Sequence, residues 1–211
     1  MKRATVEQRR IEILETTCQV VVERGFAATR VSDVASRLGV STGLIHYHFD
    51  SKEMLLAEAL RYAAEQDITR LEQELEQAHT ALTQLDTMFS FDMPEVGEPS
   101  WMLWIDGWGE ALRNPTMRRI SQHLDVAWKD RLVSIIVAGV EDGEFTCPDP
   151  QAVAWRLAAL LDGLGVQFTV HEGVLSRGQL LGYVRAAAAM ELGIAESAFK
   201  RPQRRKVPTP A

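Results

Sequence analysis

The chain has 211 residues, a 46% hydrophobic share and a formal net charge of −6. That is enough chain to bury a substantial core in one or two domains, and no apolar run approaches the ~20 residues that cross a bilayer. The opening stretch MKRATVEQRRIEILE is basic but lacks an uninterrupted apolar core, so it does not read as a secretory signal and a cytoplasmic protein without a membrane partner is expected. The two cysteines, Cys18 and Cys147, fit reduced thiols better than a disulfide. Charge is unevenly spread: residues 1–62 carry +1, residues 63–199 carry −12 and residues 200–211 carry +5. The asymmetry suits a protein that meets phosphate at one end only.

In chain order, Thr5-x-x-Gln8 reads as a capping box opening a helix with the stripe Ile11, Leu14, Cys18, Val21 and Val22, closed by Gly25. Lys2, Arg3, Arg9 and Arg10 lie off that stripe and suit either a phosphate backbone or minor groove, or a solvated helix end. Thr29 is the expected N-cap of a second helix, whose Val31, Val34, Ala35 and Leu38 fall at i, i+3, i+4 and i+7. Gly39 ends it where a residue tolerant of positive φ is wanted. Ser41 then caps a third short helix with Leu44, Ile45 and Phe49 on its apolar side. Thr42, Gly43, His46, Tyr47 and His48 are left on the outside. Two short helices joined by a glycine turn, the second with a polar, uncharged outer face, describe a helix-turn-helix whose second helix enters the major groove of DNA.

Ser51 caps a long helix reaching about residue 78, with Leu55, Leu56, Leu60, Leu71 and Leu75 inward. Lys52 in its first turn opposes the helix dipole and makes more sense with phosphate nearby. A helix over about 80–91 carries Leu82, Leu85, Met88 and Phe89, and the Pro- and Gly-containing stretch 92–100 is a loop. Trp101, Trp104 and Trp108 follow at i, i+3 and i+7, with Asp106, Glu110 and Arg113 on the opposite side of the same helix. Two readings fit this aromatic stripe: core packing, or the wall of a ligand cavity. A helix over about 116–141 bears Trp128. The helix over about 151–172 is apolar on more than one side, which places one side in the core and one in a subunit interface. Asp162 in its middle needs a partner or a cationic ligand. Gly163 and Gly165 beside it ask for the close approach of another helix. A last helix covers about 177–194, and the basic, Pro-rich stretch 200–211 reads as a disordered tail.

No strand pattern occurs, so the fold class is all-α. The sequence holds no H-E-x-x-H, no Cys–His cluster, no phosphate-cradling glycine loop and no G-x-S-x-G, so no metal, cofactor or catalytic activity is expected.

Residues 9–56 resemble the DNA-binding domain of the tetracycline-repressor (TetR) family of bacterial regulators. The resemblance rests on Arg24-Gly25-Phe26, Thr29, Val34-Ala35 and Leu38-Gly39-Val40-Ser41. Its most diagnostic part is Gly43-Leu44-Ile45-His46-Tyr47-His48-Phe49, running into Ser51-Lys52-Glu53 and Leu55. The Trp-rich helix with Glu110 to Pro115, and Asp162-Gly163-Leu164, look like the choline-responsive branch. The resemblance implies about nine helices: a helix-turn-helix domain over 1–50, a ligand-binding and dimerisation domain over 51–199, and the basic tail. It implies a homodimer through the helices at about 151–172 and 177–194. Such a dimer would bind a palindromic operator in double-stranded DNA, most often as a repressor, and a small-molecule effector would release it. Thr42, Gly43 and His46 are then the base-side candidates; Thr29, Ser41, Tyr47, His48 and Lys52 are the phosphate-side candidates. Gly43 departs from the Lys or Arg often found there, which puts a guanine contact at that position in doubt. Phe89, Trp104, Trp108, Trp128 and Asp162 are the cavity candidates, suited to a cationic or amphipathic effector through cation–π and charge contacts. The alternative is an architectural or scaffold DNA-binding protein of the same fold with no small effector.

Overall fold

The computed structural model describes residues 5–95, 97–171 and 173–200. The expectations for Lys2, Arg3 and the tail beyond residue 200 lie outside them. The described residues form nine α-helices and one short 3-10 turn, with no strand. Thr5 and Gln8 exchange hydrogen bonds of 3.1 and 2.9 Å at the start of α1 (Val6–Arg24), so the capping box is present. α2 (Val31–Leu38) ends at Gly39, whose φ of 69° is the left-handed cap a side chain would strain. Its N-cap is Arg30, not Thr29: the Arg30 N–H donates to Asp33 Oδ2 at 3.0 Å. Thr29 is drawn instead into the loop closing α1, where its hydroxyl donates to the Gly25 carbonyl at 2.8 Å. α3 (Thr42–His48) starts at Ser41, whose Oγ accepts the Leu44 N–H at 3.3 Å.

The remaining helices are α4 (Lys52–Leu75), α5 (Ala81–Asp92), α6 (Pro99–Ala111), α7 (Pro115–Glu141), α8 (Pro150–Val170) and α9 (Arg177–Glu191). Proline opens α6, α7 and α8, where the missing N–H has no intrahelical partner to lose. α4 stops short of residue 78 because the last N–H groups, of Gln77 and Ala78, turn to the i−3 carbonyls of Glu74 and Leu75.

Three apolar clusters hold the chain together, and α4 enters all of them. Leu55 and Ala59 pack with Ile13, Val34, Ile45 and Phe49 under the helix-turn-helix. Leu56, Leu60 and Ala64 pack with Phe26 of the α1–α2 loop and with Leu103, Met117 and Leu124 of α6 and α7. Leu71 joins the large core made by α5, α7, α8 and α9. The middle cluster ties the N-terminal helices to the rest without a flexible linker.

The free N-terminal amides of α5 are capped from far along the chain. Glu144, in the α7–α8 loop, accepts the Ala81 and Leu82 N–H groups at 3.0 Å each. Glu144→Ala leaves two half-buried donors unpaired at a cost of about 1–3 kcal/mol. The thermal midpoint should fall by roughly 2–4 °C per kcal/mol for a chain of this size. An unchanged midpoint in calorimetry would show that water replaces the cap at no cost.

Candidate functional site

Two regions carry chemistry. The first is the outer face of α3. Ile45 and Phe49 are buried and fix the helix against α1, α2 and α4, which leaves Thr42, Gly43, His46 and Tyr47 exposed. Tyr47 is 73% exposed and its ring stands edge-on to His48 at 5.1 Å. A Cβ at Gly43 would meet only Ser41 Oγ, 3.7 Å away, so backbone is offered where a side chain would fit. Ser41 is exposed beside it.

The structure gives part of the phosphate-side set partners inside the protein. Thr29 is 1% exposed and its hydroxyl is already bonded, so it acts inside the loop. Lys52 Nζ donates to the Ala27 carbonyl at 3.2 Å, which gives this lysine a partner without phosphate. Arg10 is also structural: its guanidinium lies 4.6 Å from the centroid of the Phe49 ring and bonds Glu58 at 3.1 Å, bracing α3 from behind. Arg9 pairs with Glu12 at 2.7 Å. Arg30, exposed at the start of α2, is a cation that the sequence pattern did not single out.

The second region is a small cavity of about 60 Å³ among α4 to α8. Trp101, Trp104 and Trp108 of α6 wall one side, and Phe91 and Trp128 another. Trp101 and Trp108 meet edge to face at 6.3 Å, and Trp104 and Trp108 are tilted at 47° with centroids 6.0 Å apart. The Trp101 indole N–H donates to the Asp92 carbonyl at 2.7 Å, which fixes that ring. On its other side a Cβ on residue 165 would sit 2.0 Å from the indole, so Gly165 exists to make room for it. Gly163 has open space and no neighbour within this chain. Of the expected cavity residues, Trp104, Trp108, Trp128 and Asp162 come together. Phe89 does not: it is fully buried in the large core, 6.3 Å from the Phe199 ring. Phe91, two residues on, takes the cavity side of α5.

Five carboxylates and one ammonium line the same space: Asp67, Asp92, Glu98, Asp125, Asp162 and Lys129. Asp67 is bonded by Arg70 and accepts the Ser100 hydroxyl at 2.6 Å. Lys129 bonds Asp125 and lies 4.7 Å from the centroid of the Trp155 ring. Asp92 and Asp162 make no side-chain hydrogen bond or close ion pair among the described residues. Burial, and then the neighbouring Asp162, Asp67 and Glu98 charges, push the Asp92 carboxyl up to about 8 against the pull of Lys129. Burial pushes Asp162 up to about 6, with Lys129 opposing and Asp125 adding. The sequence reading missed Asp92 because it stands at the edge of a loop read as solvated. It missed Lys129 because one lysine on a mixed helix face carries no signal of burial.

Comparison with known proteins gives this arrangement its context. Residues 13–59 match the profile of the bacterial regulatory proteins of the tetR family, and residues 81–193 match that of the C-terminal domain of BetI-type transcriptional repressors. The HTH-type transcriptional regulator BetI of Paraburkholderia phymatum is 30% identical over 166 residues, covering 75% of this chain and 80% of that protein. A putative transcriptional regulator from Saccharomonospora viridis, solved in complex with choline, superposes with a TM-score of 0.79 at 30% identity over 88% of this chain and 98% of that one. A putative TetR-family regulator from a Rhodococcus species superposes with a TM-score of 0.78 at 25% identity, covering 89% of this chain and 100% of that one. With one profile on the helix-turn-helix and the other on more than half of the chain, this protein belongs to the TetR family of transcriptional regulators, with a C-terminal domain of the BetI type.

Proposed function

We propose that the protein is a dimeric repressor released from a palindromic operator by a small quaternary ammonium compound of the choline type. The observation that carries the ligand class is the pair Asp92 and Asp162: two unpaired carboxyls facing one cavity walled by tryptophan. A carboxylate taken out of water without a partner is unfavourable, and aromatic faces attract a cation by about 2 kcal/mol or more once it is desolvated. A tetraalkylammonium satisfies both at once, since it needs no hydrogen bonds and offers its charge through methyl groups. The small cavity suits such a headgroup and leaves no room for a long acyl chain. The Saccharomonospora viridis neighbour with its choline supports the same chemistry.

On the DNA side, Thr42, Gly43 and His46 read base edges, while Tyr47, His48 and Ser41 contact the backbone; residues 1–50 form that unit and 51–199 the ligand-binding and dimerising one. The dimer forms through α8 and α9. Trp155 and Val170 are 48% and 55% exposed on α8, and Tyr183 and Met190 are 50% and 85% exposed on α9, an apolar surface that needs covering. A second packed face also explains why α8 has a mean hydropathy of 1.2, high enough by length and composition alone to cross a membrane. Two-fold symmetry would set the recognition helices about one DNA turn apart, ~34–36 Å, or somewhat more. Ligand entry shifts α4, the spacing changes and the operator is released. The protein works in the cytoplasm, where that DNA is.

Calorimetry with choline and its neutral isostere 3,3-dimethylbutanol tests the ligand class. Choline should bind and the isostere should bind at least tenfold more weakly; equal binding would remove the charge argument. Asp162→Asn should weaken choline at least tenfold, since it removes a negative charge that faces the cation in a low-dielectric space; unchanged affinity would take Asp162 out of the site.

The pH dependence has a definite sign. In the ligand-free protein both carboxyls are raised from 3.8, so their contribution to folding stability is full below that value. It is lost as pH rises, through about 6 for Asp162 and through about 8 for Asp92. A bound cation favours the ionised forms and opposes that loss. The groups facing these two are Asp67 of α4, Glu98 before α6, and Asp125 and Lys129 of α7. Choline affinity should therefore rise roughly tenfold from pH 6 to pH 8, with proton release visible in buffers of different ionisation enthalpy. A flat profile would exclude both carboxyls from binding.

The double variant Tyr183→Glu, Met190→Glu should sediment as a monomer and lose operator affinity by two orders of magnitude or more. A variant that remained dimeric would move the interface elsewhere.

A further inference from the structure

α6 has two working faces, and only one of them meets the cavity. Its tryptophans line the cavity. On the opposite face, Asp106 Oδ2 accepts the backbone N–H of Phe26 at 2.5 Å, across 80 residues of sequence. A charged acceptor at that distance makes one of the stronger kinds of hydrogen bond. Phe26 is 1% exposed and packs in the middle cluster with Leu60 and Leu103. The next residue of α6, Gly107, lies against both the Leu60 and the Phe26 side chains: a Cβ there would be 3.1 Å from the first and 3.6 Å from the second. At Gly25, φ is 79° and a Cβ would sit 3.2 Å from the Asp106 carboxylate, so the turn is open to that carboxylate only because residue 25 is glycine.

The loop that Asp106 holds is the connection from α1 to α2. Its other bonds run onward to the DNA-reading unit. The Gly25 carbonyl accepts both the Thr29 N–H, at 3.1 Å, and the Thr29 hydroxyl, at 2.8 Å. Lys52, in the first turn of α4, grips the Ala27 carbonyl at 3.2 Å. A displacement of α6 therefore reaches α2 through one loop of bonded backbone. It does not depend on α4 moving first.

We propose that Asp106 is the positioning residue that couples the cavity to the helix-turn-helix: α6 carries movement of its tryptophans to the α1–α2 loop through the Asp106–Phe26 bond. The proposal rests on the reading of the cavity as the effector site. Asp106 does not line the cavity, so it affects release without contributing to ligand contact.

The test uses the full-length dimer, choline as probe, and an operator fragment selected from genomic DNA by the purified protein. Effector and DNA must weaken each other by the same factor. In the parent protein choline should bind the operator complex at least tenfold more weakly than the free protein. In Asp106→Ala, or Asp106→Ser should alanine prevent folding, that ratio should fall below twofold while choline affinity of the free protein stays within threefold. Asp106→Asn, which keeps an acceptor, should restore much of the ratio. A purely stabilising role would lower the thermal midpoint and leave the ratio untouched, and an unchanged ratio overturns the proposal. A second arm needs no ligand. Gly165→Ala drives the Trp101 ring from its seat and should change operator affinity about tenfold in the parent but less than twofold when Asp106 is replaced. An equal change in both backgrounds, or none in the parent, overturns the coupling. If choline fails to bind the parent while this non-additivity appears, the effector reading falls and the coupling stands.

Discussion

A buried carboxylate without a partner is the constraint on which the C-terminal domain depends. Asp92 and Asp162 face a space whose walls are indole and phenyl rings, and the one ammonium lining that space among the described residues, Lys129, is already bonded to Asp125. Burial raises both carboxyls above their ordinary range, so holding a proton relieves the cost. The arrangement leaves two buried carboxyls that a cation would satisfy, which is the ground for the proposed ligand class. A site that existed for stability alone would have placed Arg or an apolar side chain there. The aromatic walls serve the same end: they exclude water, which strengthens the charge interaction, and they present the one apolar surface that attracts a cation.

The second determinant is that the DNA-reading end and the cavity are not separate bodies. α4 gives side chains to all three apolar clusters, and the middle cluster contains residues from the α1–α2 loop, α4, α6 and α7. Packed interiors deform little by continuous strain, so a wall that shifts moves its neighbours as a group. Two routes leave the cavity through this cluster. One runs along α4, whose Asp67 lines the cavity and whose first turn holds the loop through Lys52. The other crosses α6. Both end on residues 25–29, so that short loop, and not the recognition helix itself, is where the residues around the cavity reach the helix-turn-helix.

Much of this was legible before any coordinates. The 3.6-residue periodicity located nine helices within a few residues, because each buries one apolar stripe and is bounded by Ser, Thr, Pro or Gly with a local capping role. The tryptophan stripe of α6 leaves core packing and a cavity wall both open, and the isolated Asp162 asks for a partner or a cation. What periodicity could not supply was partnership. Phe89 and Phe91 are both apolar residues at one end of α5, and only packing against Phe199 or around the cavity separates them. Thr29 looks like a cap because threonine caps helices, yet its hydroxyl is taken by a carbonyl four residues back. Lys52 looked misplaced at a helix start until a loop carbonyl appeared beside it. Asp106 was visible only as the far side of an amphipathic helix. In each case the missing information was a contact distant in sequence.

The recognition face has a consequence for how release must work. Its exposed residues are Ser41, Thr42, Gly43, His46 and Tyr47, none of them carrying a fixed positive charge; the nearby Arg10 and Lys52 have partners within the protein, and Arg30 at the start of α2 is an exposed cation. On the proposed function, few phosphates would be neutralised per subunit by this face, so a single half-site would be held weakly and with a shallow salt dependence. Tight binding by the proposed dimer would then come from engaging two half-sites at once, where the second contact benefits from the effective concentration set by the first. That advantage exists only while the spacing of the two recognition helices matches the DNA. In that reading an effector would not have to damage either reading head; changing their separation would leave each subunit its weak grip and remove the joint one.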